Sequence, residues 1–145
     1  MGIFDSLFGR PRHSEFEIKV KACTAVQAYQ KKNFSFAAKL FAEYFSMKGY
    51  DFFPELDADD YRMYFNLMLS QFYAQMYEDT IATCKKIQII KPHSGDSFAF
   101  QALSEKALGN IVEANKLWTR ASINGCELTE HFPDIDDVVM VGYNN

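Results

Sequence analysis

Apolar side chains recur every three or four residues along most of this chain, the spacing that lines up one face of an α-helix. Ala22, Ala25, Val26 and Tyr29 predict a helix over 18–30, closed by a Lys31-Lys32-Asn33 turn. Ala37, Leu40, Phe41 and Tyr44 then mark the inner side of a second helix. A third is expected over 64–74, with Gln75-Met76-Tyr77 as its turn. Ile81, Cys84, Ile87 and Ile90 mark the buried face of a fourth, stopped at Lys91-Pro92 because proline cannot extend the hydrogen-bond ladder. Residues 98–108 make a fifth, and Gly109-Asn110 the turn after it. Asn110 is placed to cap a sixth, with Glu113 three residues on as in a capping box. Ile111, Ala114, Leu117, Trp118 and Ala121 share one face of that last helix. The pattern predicts an all-α chain of helical hairpins.

Compared with itself, the chain shows a period of thirty-four. With residues 61–94 laid over 95–128, Met68 falls on Ala102, Gln75 on Gly109, Thr80 on Ala114, Cys84 on Trp118 and Ile87 on Ala121. A third copy lies upstream at a spacing of forty-three, the extra residues coinciding with the loop around Phe52 to Asp59. This arrangement resembles the tetratricopeptide repeat family. That family carries small residues at positions 8, 15, 20 and 27 of its repeat, a large aromatic at 24 and proline at 32. The 95–128 copy matches with Ala102, Gly109, Ala114, Trp118 and Ala121, with Cys126 in place of proline; the middle copy keeps Pro92 and the first keeps Ala25, Ala37 and Phe41. The resemblance covers about residues 18–128. It implies three helix-turn-helix repeats (18–51, 61–94 and 95–128) stacked as a short α-solenoid, with an acidic loop at 52–60. The other reading of the same residues is a generic helical bundle without a true repeat.

The ends are set apart from this body. Residues 1–17 read as an N-terminal amphipathic segment in which Ile3, Phe4, Leu7 and Phe8 share one helical face, followed by Arg10 and Arg12. Docking on the first repeat ranks first for it, weak membrane contact by residues 1–12 second, and lipidation at Gly2, from the permissive MGxxxS pattern, a distant third. Residues 129–145 read as a C-terminal cap or tail. Pro133 can open a short helix with Asp134, Asp136 and Asp137 in its first turn, and Val138-Val139-Met140-Val141 is apolar enough to need burial against the last repeat or in its groove.

Composition narrows the chemistry. The chain has 145 residues, 48% hydrophobic and 23% charged, which is one ordinary globular domain able to bury a core without metal or disulfide. Three scattered cysteines form no CxxC pair and point to a reducing cytoplasm. No run of apolar residues is long enough to span a membrane. Nucleophile-elbow, zinc-protease, Walker and dinucleotide signatures are missing, and His13, His93 and His131 stand apart, so no enzymatic activity, cofactor or metal is expected. The net charge of −4 is uneven: residues 51–60 and 126–145 each hold five acids and no base, while residues 1–50 and 61–125 are mildly basic. A pI near 5.3 with scattered bases argues against nucleic acid. The acidic segments read first as solvated loops and helix starts, and second as a steering surface for a basic partner.

If the chain is built like the family it resembles, the first helix of each repeat lines a concave face. The positions that would face it include Tyr29, Arg62, Phe65, Asn66, Leu69, Phe72, Tyr73, Phe100, Leu103 and Lys106. Of the family's carboxylate clamp only Asn66 is present, so capture of a peptide C-terminus is not expected. Aromatic residues with Arg and Lys beside them are what protein interfaces favour. The expected function is therefore a non-catalytic module holding another protein or a peptide. A narrower version is a dedicated client-binder, such as a toxin-neutralising immunity protein or a secretion chaperone, touching its client through the acidic loop. Against both stands the reading that these rings are simply core.

Overall fold

The structure, a computed structural model, describes residues 13–49 and 58–138. The segment 1–12, most of the acidic loop, and Val139 to Val141 of the tail lie outside the described residues. Within them the chain is all-helical and has no strand. Seven α-helices follow one another: α1 Glu15–Gln30, α2 Phe34–Met47, α3 Ala58–Tyr73, α4 Tyr77–Ile90, α5 Gly95–Ala107, α6 Ile111–Ile123 and α7 Glu127–His131; a 3-10 turn, Ile135–Asp137, comes last. Each of α1 to α6 packs chiefly against its neighbours in the chain, and α1 also touches α3.

Three helices begin earlier than the apolar spacing predicts, each for a local reason. α1 starts at Glu15 because Ser14 caps it: its Oγ accepts the Glu17 N–H at 3.1 Å and donates to the Glu17 carboxylate at 3.2 Å. α3 starts at Ala58 with Asp59 and Asp60 in its first turn, where the exposed N–H groups favour negative charge. α5 starts at Gly95 behind Ser94, and a Cβ at Gly95 would lie 3.0 Å from the Asn124 carbonyl oxygen and 3.1 Å from Cys126. Glycine there lets the start of α5 approach the turn after α6. The capping box expected at the start of α6 is not made: Asn110 accepts no backbone N–H with its side chain and instead donates to the Glu105 carboxylate at 2.7 Å.

The turns inside the three hairpins are near copies. Lys32, Gln75 and Gly109 each have positive φ, at 60°, 62° and 89°. The residue after each (Asn33, Met76, Asn110) has φ near −86° and ψ near 70°. Its N–H reaches back five residues, to the carbonyls of Ala28, Gln71 and Glu105, at 2.8 to 2.9 Å. This is the bonding that closes a helix through a left-handed residue. The side chains recur as well. Ala25, Met68 and Ala102 are fully buried, as are Ala37, Thr80 and Ala114; Phe41, Cys84 and Trp118 are buried in their turn. Ser70 and Ser104 are buried thirty-four residues apart, and each hydroxyl donates to the carbonyl four residues earlier.

The apolar faces run close to expectation, with one rotated face and one exposed helix end. On α4 the buried positions are Thr80, Thr83, Cys84 and Ile87, while Ile81 and Ile90 are half-buried. On α6 Ile111 is exposed and Ala114, Leu117, Trp118 and Ala121 are buried. The interior forms two clusters. One is built on α1 to α4 around Phe41, Phe45, Tyr64 and Met68; the other runs from Phe72 through Phe98, Leu117 and Trp118 to Ile135. Phe100 packs on both.

Candidate functional site

The residues expected to form a binding wall fall on α1, α3 and α5, and ring contacts join the three helices. Tyr29 meets Phe34 edge-on at 5.5 Å, Phe34 lies 4.9 Å from Tyr73, Tyr73 meets Phe72 at 5.5 Å, and Phe72 meets Phe100 edge-on at 5.0 Å. A line of aromatic rings thus crosses all three hairpins. Each edge-to-face contact adds about 0.5–1.5 kcal/mol beyond simple burial, which holds the helices in register.

The expected residues separate by exposure. Tyr29, Phe65, Asn66, Leu69, Tyr73 and Phe100 are half-buried and Arg62 is exposed, so each presents some surface. Phe72 and Leu103 are 2% and 6% exposed. They are core and offer a partner nothing to touch, a correction to their expected place in the wall; the tight seat of Phe72 among Tyr73, Tyr77 and Phe100 is the reason. Lys106 is half-buried and engaged: its ammonium lies 3.1 Å from the Asp136 carboxylate and 3.4 Å from the Ile135 carbonyl. The C-terminal segment therefore ends this side of the wall. Ile135 is 1% exposed, and the Trp118 indole donates to the Phe132 carbonyl at 2.9 Å. Of the apolar run 138–141 expected to be buried, Val138 is the residue described, and it is half-buried against the Trp118 cluster. Asp134 caps the closing 3-10 turn, accepting the Asp136 N–H at 2.9 Å.

Sequence reasoning missed one member of the wall and one ring behind it. Phe34, the first residue of α2, is 4% exposed and so belongs to the core, yet it is the ring that ties Tyr29 to Tyr73; its place right after a turn hid it from the inner-face count. Tyr61 stacks on Phe65 at 6.5 Å, and the Lys91 ammonium sits 3.8 Å above the Tyr61 ring. The i, i+4 spacing of Tyr61 and Phe65 was the signal for that pair.

Charge at the site differs from the sequence picture at one point. Asp60, counted among the acids of the loop, is 2% exposed. It accepts from the Tyr44 hydroxyl at 2.7 Å and the Lys48 ammonium at 2.6 Å, so its charge is spent inside the fold. Burial, and next the bond to Asp60, push the Tyr44 phenol up to about 12. For Lys48 burial acts the other way, but its bonds to Asp60 and Tyr44 outweigh it and raise the ammonium.

Outside the Asp60, Tyr44 and Lys48 cluster, the histidines stand apart from one another. His13 lies by Glu17, His93 by Asn124 and His131 by Glu127, each on the surface at a helix boundary. Burial pushes the Cys84 thiol up; burial and the contact with Asp96 do the same for Cys126, so neither is a ready thiolate. Among the described residues no three His, Cys, Asp or Glu gather as a metal would need. Nor is any described helix long and apolar enough to cross a membrane. What the wall can offer is ring faces, an arginine and an asparagine, the means of non-covalent recognition. No protein-family model matches this chain, and no curated protein and no solved structure matches it either.

Proposed function

We propose that this chain is a non-catalytic binding module of the tetratricopeptide type, which holds a peptide or protein surface against the ring wall of α1, α3 and α5. The observation that carries the reading is the run of half-buried rings, Tyr29, Tyr73, Phe100 and Phe65, shared between three hairpins with the same turn geometry. Half-buried aromatics beside an exposed Arg62 are the residue types that dominate protein–protein binding energy. The recurring turns and the matching small buried positions support the stacked-repeat reading, in which side-by-side first helices make one continuous wall. Three free thiols, one of them exposed at Cys23, fit a reducing cytoplasm.

The test is a comparison of captured proteins. Wild-type chain and an Arg62→Glu/Phe65→Ala variant are immobilised in parallel, and bound proteins from the native source are identified by mass spectrometry. Arg62 is exposed and Phe65 is half-buried at the edge of the first cluster rather than inside it, so helical circular dichroism should stay close to that of the wild type. At least one protein held by the wild type should lose affinity by about thirty-fold or more, the scale of a hot-spot truncation. If every captured protein binds both chains equally, the wall is not the binding surface.

A further inference from the structure

On the far side of α1 lies an apolar groove of about 600 Å³, between the first half of α1 and the second half of α2. Phe16, Val20, Thr24, Leu40 and Met47 line it, and Phe16 and Val20 are 76% and 47% exposed. At 100° per residue these α1 positions point away from Ala22, Val26 and Tyr29, so the groove is separate from the ring wall. It marks the open end of the stack, whereas the other end is closed by the segment carrying Ile135.

The later hairpins show what such a groove holds. Forty-three residues on, Lys21, Thr24 and Leu40 correspond to Tyr64, Leu67 and Thr83, all buried at 5–6% exposure. The helix immediately before that hairpin, α2, covers them, with the Phe45 ring 5.0 Å from Tyr64. Thirty-four residues further, the same places fall on Phe98, Gln101 and Leu117, again buried. Here α4 is the covering helix, and Gln88 donates to Gln101 at 2.7 Å. Twice over, then, the seat between two helices of a hairpin is filled by the chain that directly precedes that hairpin.

We infer that the occupant of the seat on the first hairpin is the segment 3–8 of this chain, through its apolar residues Ile3, Phe4, Leu7 and Phe8. These residues stand just upstream of His13, itself at the groove's rim. Their spacing puts all four on one helical face, which matches the apolar lining. Gly9 and Pro11 between this stretch and α1 supply the break a reversal needs. Nothing in this assignment depends on what the ring wall binds.

A nitroxide at position 6 tests it in the full chain. Ser6→Cys places the label off the apolar face, Cys23→Ser removes the one exposed thiol, and Cys84 and Cys126 are buried from the reagent. In dilute isotope-labelled protein, the amide signals of Phe16, Val20, Leu40 and Met47 should lose more than half their intensity, while those of Ile111 to Ile123 keep theirs. Phe4→Asp/Leu7→Asp in the same labelled chain should restore the lost signals; those substitutions lie outside every described helix, so the hairpins remain as an internal control. Unbroadened groove signals in the single-chain sample would overturn the assignment. So would broadening seen only when spin-labelled and isotope-labelled chains are mixed, since a second copy would then be the occupant.

Discussion

Asp60 shows how far one residue can depart from its neighbourhood in sequence. It sits in a run of acids, yet its carboxylate is enclosed by Tyr44 and Lys48, joining the start of α3 to the end of α2. Removing it strands an ammonium that is about one-fifth exposed and can partly rehydrate. Asp60→Ala should therefore cost about 3 kcal/mol, the low end for breaking a buried pair, read as a shifted urea midpoint. The same cluster sets a pH limit. Tyr44 and Tyr64 are each pushed up to about 12, both first by burial, and Lys48 is raised as well. A group that releases its proton less readily when folded stabilises the fold below its unfolded value and loses that contribution as pH rises through the folded one. Stability should thus hold to about pH 10 and fall between about 10 and 12. A midpoint that stays level across that window would contradict this account.

At the level of elements, the number and order of the hairpin helices were legible because each has an apolar face and each turn a breaker. Their N-terminal ends were not. Periodicity is silent about a first turn whose side chains are polar or absent: Ser14 caps α1, Asp59 and Asp60 stand in the first turn of α3, and Gly95 opens α5 where no side chain would fit. The turns themselves give a direct test. Gln75 holds φ of 62° where the third hairpin has Gly109 at 89°. A side chain in that region costs about 1–2 kcal/mol, which glycine avoids at some expense in unfolded-state freedom. Gln75→Gly should be neutral to stabilising by about 1 kcal/mol. Gly109→Ala should destabilise by a similar amount, although a Cβ at Gly109 meets nothing within 4 Å, which leaves the backbone as the sole cause. Equal and opposite shifts in thermal midpoint would show that the two turns are one device.

For the molecule as a whole, the candidate site was only partly legible. Residue type and helical position picked out Tyr29, Phe65, Tyr73 and Phe100 as candidates for the wall, and all four are half-buried. The same reasoning could not separate wall from interior at Phe72 and Leu103, because both lie on that side and differ only in how closely later parts of the chain pack on them. Burial there is a property of three elements together. Lys106 was hidden from sequence in the same way, its partner Asp136 lying thirty residues downstream in a segment with no helical period.

The division of the interior into two clusters with Phe100 common to both has a consequence for cooperativity. In a linear array each unit is stabilised only by its neighbours, so the sharpness of melting depends on the interfaces rather than on any single unit. Phe100 is half-buried, and its truncation takes less from either cluster than it takes from their junction. Phe100→Ala should flatten the denaturation profile, with the half carrying Trp118 and the half carrying Phe41 melting at different points, as indole fluorescence and circular dichroism followed together would reveal. A single steep transition with both signals superimposed would mean that the two halves are fastened elsewhere.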